Sequence, residues 1–165
     1  MDRRGAPSLN LSVSLAAQRL VLTRDGAPWK TYAVSTSKHG AGEVYGSRQT
    51  PRGRHIVRAK IGGGAPLGAV FRGRRPTGEI YSAALASDFP ERDWILTRIL
   101  WLSGTEIGKN RLGDVDTMRR YVYIHGAPDG TSLGVPGSIG CIRMANRDIV
   151  ELFDLVPVGT TVDIA

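Results

Sequence analysis

The chain has 165 residues with 41% hydrophobic and 22% charged side chains, which is the size and make-up of one globular unit with a sizeable core. A formal net charge of +7 comes mostly from arginines spread along the chain, with no run of five or six like charges and no nucleic-acid-binding signature, so a nucleic-acid partner has little support. The single cysteine excludes an internal disulfide framework.

Twenty-one glycines and nine prolines favour a loop-rich, mainly β protein. Leu9, Leu11, Val13 and Leu15 alternate with Asn10, Ser12 and Ser14, the period of a half-buried strand. Arg19 to Arg24 predicts a second strand, Asp25-Gly26 a hairpin turn, and Trp29 to Ser35 the returning strand. A polar loop follows to Thr50, and Thr50-Pro51-Arg52-Gly53 turns into a strand over Arg54 to Ile61. Gly62-Gly63-Gly64 is not a phosphate loop, because no Gly-Lys-Ser/Thr follows it. Ala69-Val70-Phe71 and Glu79-Ile80-Tyr81 flank a basic turn around Arg72-Gly73-Arg74-Arg75.

Trp94 to Leu102 is apolar enough for a central strand, and residues 104–120 read as a long loop. Tyr121 to His125 predicts a strand that ends at the histidine. Asn146 is placed to cap a short helix whose Ile149, Leu152 and Phe153 share a buried face. Thr161 to Ile164 closes the chain as a strand. No repeat or linker interrupts this series, so the expectation is one mostly antiparallel β domain over residues 1–165, with its core from about residue 9. The tryptophans Trp29, Trp94 and Trp101 are expected in the core. His39 and His55 have no second ligand at metal spacing, and neither a metal nor a cofactor is expected. The N-terminus carries Arg3 and Arg4 without an apolar run after them, so no export signal and no membrane span are expected in this chain.

The chemistry concentrates at Cys141, in the run Val135-Pro136-Gly137-Ser138-Ile139-Gly140-Cys141-Ile142-Arg143-Met144. An arbitrary lone cysteine is most simply a small buried apolar residue. Here His125 lies sixteen residues upstream, separated by a turn-rich loop that permits a return, and an imidazole beside a thiol can take its proton. Gly140 lets the backbone approach a substrate, and the N–H groups of Ile139, Gly140 and Cys141 are candidate oxyanion donors. No acid adjoins His125 in sequence, so the Gly126 carbonyl is the candidate orienter. Arg143 reads equally as a substrate-carboxylate ligand or as a surface arginine at a helix start.

Tyr-Val-Tyr-Ile-His-Gly, a gap, then Leu-Gly-Val-Pro-Gly-Ser-Ile-Gly-Cys-Ile-Arg-Met resembles the signature of the L,D-transpeptidase (YkuD-type) catalytic domain. The resemblance extends to the N-terminal strands, Thr50-Pro51-Arg52-Gly53, the Arg98 to Leu102 segment and Gly159 to Val162. It implies a β-sandwich-like domain with a short helix after the cysteine loop. It further implies attack on the amide between a diamino acid and D-alanine in a peptidoglycan stem tetrapeptide, with transfer to an amine acceptor. On this resemblance Cys141 is the nucleophile, His125 its base and Gly126 the orienter. Ser138, Ile139 and Gly140 form the nucleophile loop, and Arg143 and Tyr123 bind substrate. Peptidoglycan stems are the implied partners, carbapenems the implied inhibitors, and the periplasm or cell envelope the implied location. An L,D-carboxypeptidase using water as acceptor and a non-catalytic cell-wall binding module are the alternatives. Ile139 departs from the family's usual histidine or serine at that position.

Overall fold

A computed structural model describes residues 5–165; Arg3 and Arg4 lie outside the described residues. The alternating N-terminal segment forms β1 (Leu9–Ser14), which turns Leu11 and Val13 inward. It pairs antiparallel with β2 (Arg19–Arg24), whose Leu20 and Leu22 point the same way. Asp25 and Gly26, both at positive φ (50° and 80°), make the tight hairpin to β3 (Ala27–Ser35). That strand begins two residues earlier than the pattern predicts, and Trp29 is the extra residue of a bulge opposite Leu22 and Thr23.

The remaining elements are β4 (Gly53–Ile61), β5 (Ala69–Arg72), β6 (Arg75–Ile80), α1 (Ala83–Asp88), β7 (Ile95–Gly104), β8 (Tyr123–Ala127), β9 (Ile142–Ala145), α2 (Asn146–Leu155) and β10 (Thr161–Ile164). The strands join in the order β4-β10-β1-β2-β3-β9-β8-β7-β5-β6, and β4 also pairs with β7. That extra pairing closes eight strands into a ring and leaves the β5–β6 hairpin attached to β7. The mainly β, sandwich-type expectation therefore holds, with the facing layers joined into a barrel. All ladders are antiparallel except β1–β10 and β8–β9.

The main core fills the ring with Leu20, Leu22, Val34, Leu100, Ile124 and Ile142 among others, capped by Ile149, Leu152 and Phe153 of α2. A smaller cluster lies on the other face of β7 and β8, where Phe71, Ile99 and Tyr123 pack together with Ile61, Ile95, Trp101 and Cys141. The strands β7 and β8 are thus buried on both faces, which explains why their sequences are nearly continuous apolar runs.

Asn146 is the first residue of α2 rather than its cap; the cap position is Ala145. Its side chain instead accepts from Thr97 Oγ1 at 2.6 Å and donates to Asp129 Oδ1 at 3.2 Å. The strand β8 starts at Tyr123, not Tyr121, because Tyr121 sits at φ 55° in a turn, and it continues to Ala127. His125 is therefore at mid-strand. Trp29 is 41% exposed, flanked by Arg24 and Lys30 over its ring, and does not belong to the core. The short helix α1, capped by Ser82, buries no side chain and so leaves no periodic trace to read.

Candidate active site

The parallel register of β8 and β9 pairs Ile124 with Ile142 and His125 with Arg143. Side chains alternate along a strand, so Ile124 and Ile142 enter the main core while Tyr123, His125, Cys141 and Arg143 share the opposite face. The loop from Pro128 to Cys141 makes the return that parallel pairing requires. Cys141, just before β9, comes level with Tyr123. The Tyr123 N–H points at Sγ from 3.4 Å, and the thiol faces the Tyr121 carbonyl at 3.5 Å.

His125 is fully buried. Its Nδ1 lies 2.7 Å from the Gly126 carbonyl, which can only accept, so Nδ1 carries the hydrogen and Nε2 presents the lone pair. Nε2 has no hydrogen-bond partner among the described residues. Burial lowers the pKa of this histidine; the Gly126 carbonyl and Asp93 oppose the shift and Arg143 adds to it. Burial also pushes the Cys141 thiol up to about 12, against the Tyr123 N–H, which favours the thiolate. Asp93 pushes the thiol the same way as burial, while Arg143 and Arg120 oppose it. Both shifts favour the uncharged forms, the thiol and the neutral imidazole.

Gly126 admits no side chain. A Cβ there would lie 2.5 Å from Asn146 Oδ1 and 2.6 Å from the Leu96 carbonyl, both parts of packed elements. The glycine lets β7 close against the strand beside the carbonyl that orients His125.

The loop before Cys141 is pinned along its length, and the Gly137 and Ser138 N–H groups both donate to the Thr36 carbonyl at 2.9 Å. Ser138 Oγ donates to the Cys141 carbonyl at 2.5 Å and accepts the Gly140 N–H at 3.2 Å. The Ser138 carbonyl accepts from Lys38 N at 2.9 Å. Thr50 Oγ1 donates to the Gly140 carbonyl at 3.0 Å while accepting the Ser37 N–H at 3.0 Å. Arg143 donates to the Gly137 carbonyl at 3.1 Å and pairs with Asp93 at 2.9 Å. Gly140 holds φ at 135°, a conformation that L side chains avoid. Its N–H is engaged by Ser138, which leaves the N–H groups of Ile139 and Cys141 as the loop's candidate oxyanion donors.

A groove of about 540 Å³ opens over Cys141. Its walls include Tyr45, Arg48, Arg74, Tyr121 and Ile139. Tyr123 also lines it and accepts from Arg74 Nη1 at 3.1 Å through its hydroxyl. Neither His125 nor Arg143 lines this groove. Sequence reasoning missed Thr50 as the anchor of Gly140, and Arg74, Arg48 and Tyr45 as groove residues. They lie far from the cysteine in sequence, and only the Thr50-Pro51-Arg52-Gly53 turn carried a readable signal. His55 is buried elsewhere, between the Gly53 carbonyl and Thr117 Oγ1, and burial pushes it down to about 4. Among the described residues no group of three His, Cys, Asp or Glu side chains is arranged for a metal ion, and no helix is long and apolar enough to cross a membrane.

The fold and this cysteine–histidine arrangement place the protein in a known class. The sequence profile of the L,D-transpeptidase catalytic domain, YkuD, matches residues 11–164, and the chain belongs to that family. Bacillus subtilis YkuD is 28% identical over 156 residues, covering 94% of this chain and 65% of that protein. An L,D-transpeptidase from Mycobacterium smegmatis superposes with a TM-score of 0.57 at 20% identity, over 97% of this chain and 59% of that one. L,D-transpeptidase 3 from Mycobacterium tuberculosis, solved with a faropenem-derived adduct, gives 0.60 at 16% identity, over 96% and 60%. The chain thus spans about two-thirds or less of the length of these relatives.

Proposed function

We propose that residues 9–165 act as one catalytic unit that transfers an acyl group from a peptidoglycan stem tetrapeptide through Cys141. The observation that carries this reading is the orphaned Nε2 of buried His125, on the same strand face as a thiol whose sulfur already meets a backbone N–H. Family membership supplies the substrate class.

Nε2 of His125 takes the thiol proton as Sγ bonds to the carbonyl carbon between the diamino acid and D-alanine. Because the thiol is weakly acidic at rest, proton removal accompanies attack rather than preceding it. Charge on the carbonyl oxygen is held by loop N–H groups, each worth roughly 3 kcal/mol to the transition state. The C–N bond then breaks, and the departing D-alanine nitrogen takes the proton from Nε2, leaving a thioester. An acceptor amine attacks that thioester, gives a proton to Nε2, and the C–S bond breaks as sulfur recovers it. Gly126 fixes the imidazole tautomer, while Arg143 and Ser138 hold the loop. Ile139, 41% exposed on the groove, gives the acceptor an apolar contact. The peptidoglycan substrate places this activity in the cell envelope.

The test is incubation with a defined tetrapeptide and a diamino acceptor, with products read by mass spectrometry. Crosslinked dimer that disappears in Cys141→Ala supports the reading. Loss of D-alanine without dimer would assign the carboxypeptidase alternative, and bound but unchanged tetrapeptide the non-catalytic one. A carbapenem is expected to add once, at Cys141.

A further inference from the structure

The basic turn at the tip of the β5–β6 hairpin is not absorbed by the mechanism above. Gly73 and Arg74, both at positive φ (52° and 68°), make that turn and hold Arg74 over the groove that contains Cys141. The guanidinium carbon lies 4.7 Å from the ring centres of both Trp101 and Tyr121. One of its donors is held by the Tyr123 hydroxyl at 3.1 Å. No carboxylate pairs with it among the described residues. A guanidinium carries five N–H donors in a planar fork, so most of this fork remains open.

The rest of the groove does not neutralise it. Asp93, the acid on the groove, is paired with Arg143. Arg120 is turned to the carbonyls of Gly42 and Gln49, and Arg48 adds a further cation. Contact with two aromatic rings and the Tyr123 hydroxyl restrains the guanidinium before any ligand arrives, so less freedom is lost when a bidentate acceptor binds. Tyr123 then spans the distance that matters: its N–H touches Sγ and its hydroxyl holds Arg74.

We propose that Arg74 is a specificity-determining residue that binds a free carboxylate of the donor stem beside the scissile amide, so that acid donors are used and carboxamide donors are discriminated against. This rests on the acyl-transfer reading above. Two carboxylates satisfy the same chemistry, that of the terminal D-alanine and one carried by the diamino acid.

The experiment measures kcat and KM for three tetrapeptides, with both carboxylates free, with the D-alanine amidated, and with the diamino acid amidated. Wild type should lose about 10- to 100-fold in kcat/KM for one of the two amides, mostly in KM, which identifies the carboxylate. Arg74→Gln should treat that amide and the acid alike, and Arg74→Lys, charged but without the fork, should restore only part of the preference. Equal use of all three donors by wild type, or an unchanged preference in Arg74→Gln, would overturn the proposal. If wild type turns over no donor, the acyl-transfer reading fails separately. Calorimetry with the same peptides then decides on Arg74, equal affinity for acid and amides overturning its role and tighter binding of an acid that Arg74→Gln loses upholding it.

Discussion

Thr50 lies ninety residues before Gly140 in sequence, yet its hydroxyl holds the loop that carries Cys141, and Thr50→Val tests this. Valine keeps the shape of threonine, so no cavity opens. What is lost is a donor 3.0 Å from the Gly140 carbonyl and an acceptor 3.0 Å from the Ser37 N–H. Thr50, Ser37 and Gly140 are all buried, so water does not replace either bond. Each orphaned group costs about 1–2 kcal/mol, or about 2–4 kcal/mol together. For a chain of this size each kcal/mol lowers the melting temperature by about 2–4 °C, which gives a fall of about 5–15 °C. The acylation rate should fall as well, because Gly140 sets the position of the Cys141 backbone. Calorimetry and the rate of carbapenem addition read the two effects, and Thr50→Ser, which keeps the hydroxyl, should retain most of both. A Thr50→Val protein that melts within about 2 °C of wild type and acylates at its rate would show that Thr50 does not hold the loop.

His125→Ala should lower kcat/KM about 10²- to 10⁴-fold. In wild type the acid limb of the pH profile should lie below the ordinary histidine value, since burial depresses this pKa and only the neutral ring accepts a proton; an acid limb above pH 7 would contradict the assignment. Gly126→Ala should destabilise by about 1–3 kcal/mol and reduce activity further, because its methyl meets the Leu96 carbonyl at 2.6 Å, and a wild-type melting temperature would show that β7 yields easily. His55 should titrate by NMR with a midpoint near 4. The unfolded chain then binds the extra proton first, so this residue's contribution, about 3 kcal/mol, is present above pH 6.5 and is lost as pH falls toward 4. A midpoint near 6.5 would mean a solvated ring.

The strands were legible where one face alone meets the core. Leu11, Val13, Leu20 and Leu22 show the alternation directly, and Asp25-Gly26 marks its hairpin through its backbone requirements. The start of β8 was not legible, because Tyr121 to Ile124 is aromatic or aliphatic throughout and only the positive φ of Tyr121 sets it off from the strand. The site divided in the same way. That Cys141 returns to the strand of His125 and Gly126 was legible, because a short turn-rich loop links them. Arg74, Thr50 and Tyr45 were not, since nothing local in a basic turn or a polar loop says which groove it will wall. Ring closure through β4–β7 and the parallel β8–β9 register bring them together, and both are long-range pairings.

Under the proposed reaction Cys141 forms a thioester with the donor, assisted by His125. Intact-mass measurement after rapid mixing with a tetrapeptide donor tests it most directly. One adduct equal to the donor minus D-alanine is expected, mapped to Cys141, absent in Cys141→Ala and forming at least about a hundredfold more slowly in His125→Ala. An adduct that persists in Cys141→Ala, or that forms at the wild-type rate in His125→Ala, would contradict it.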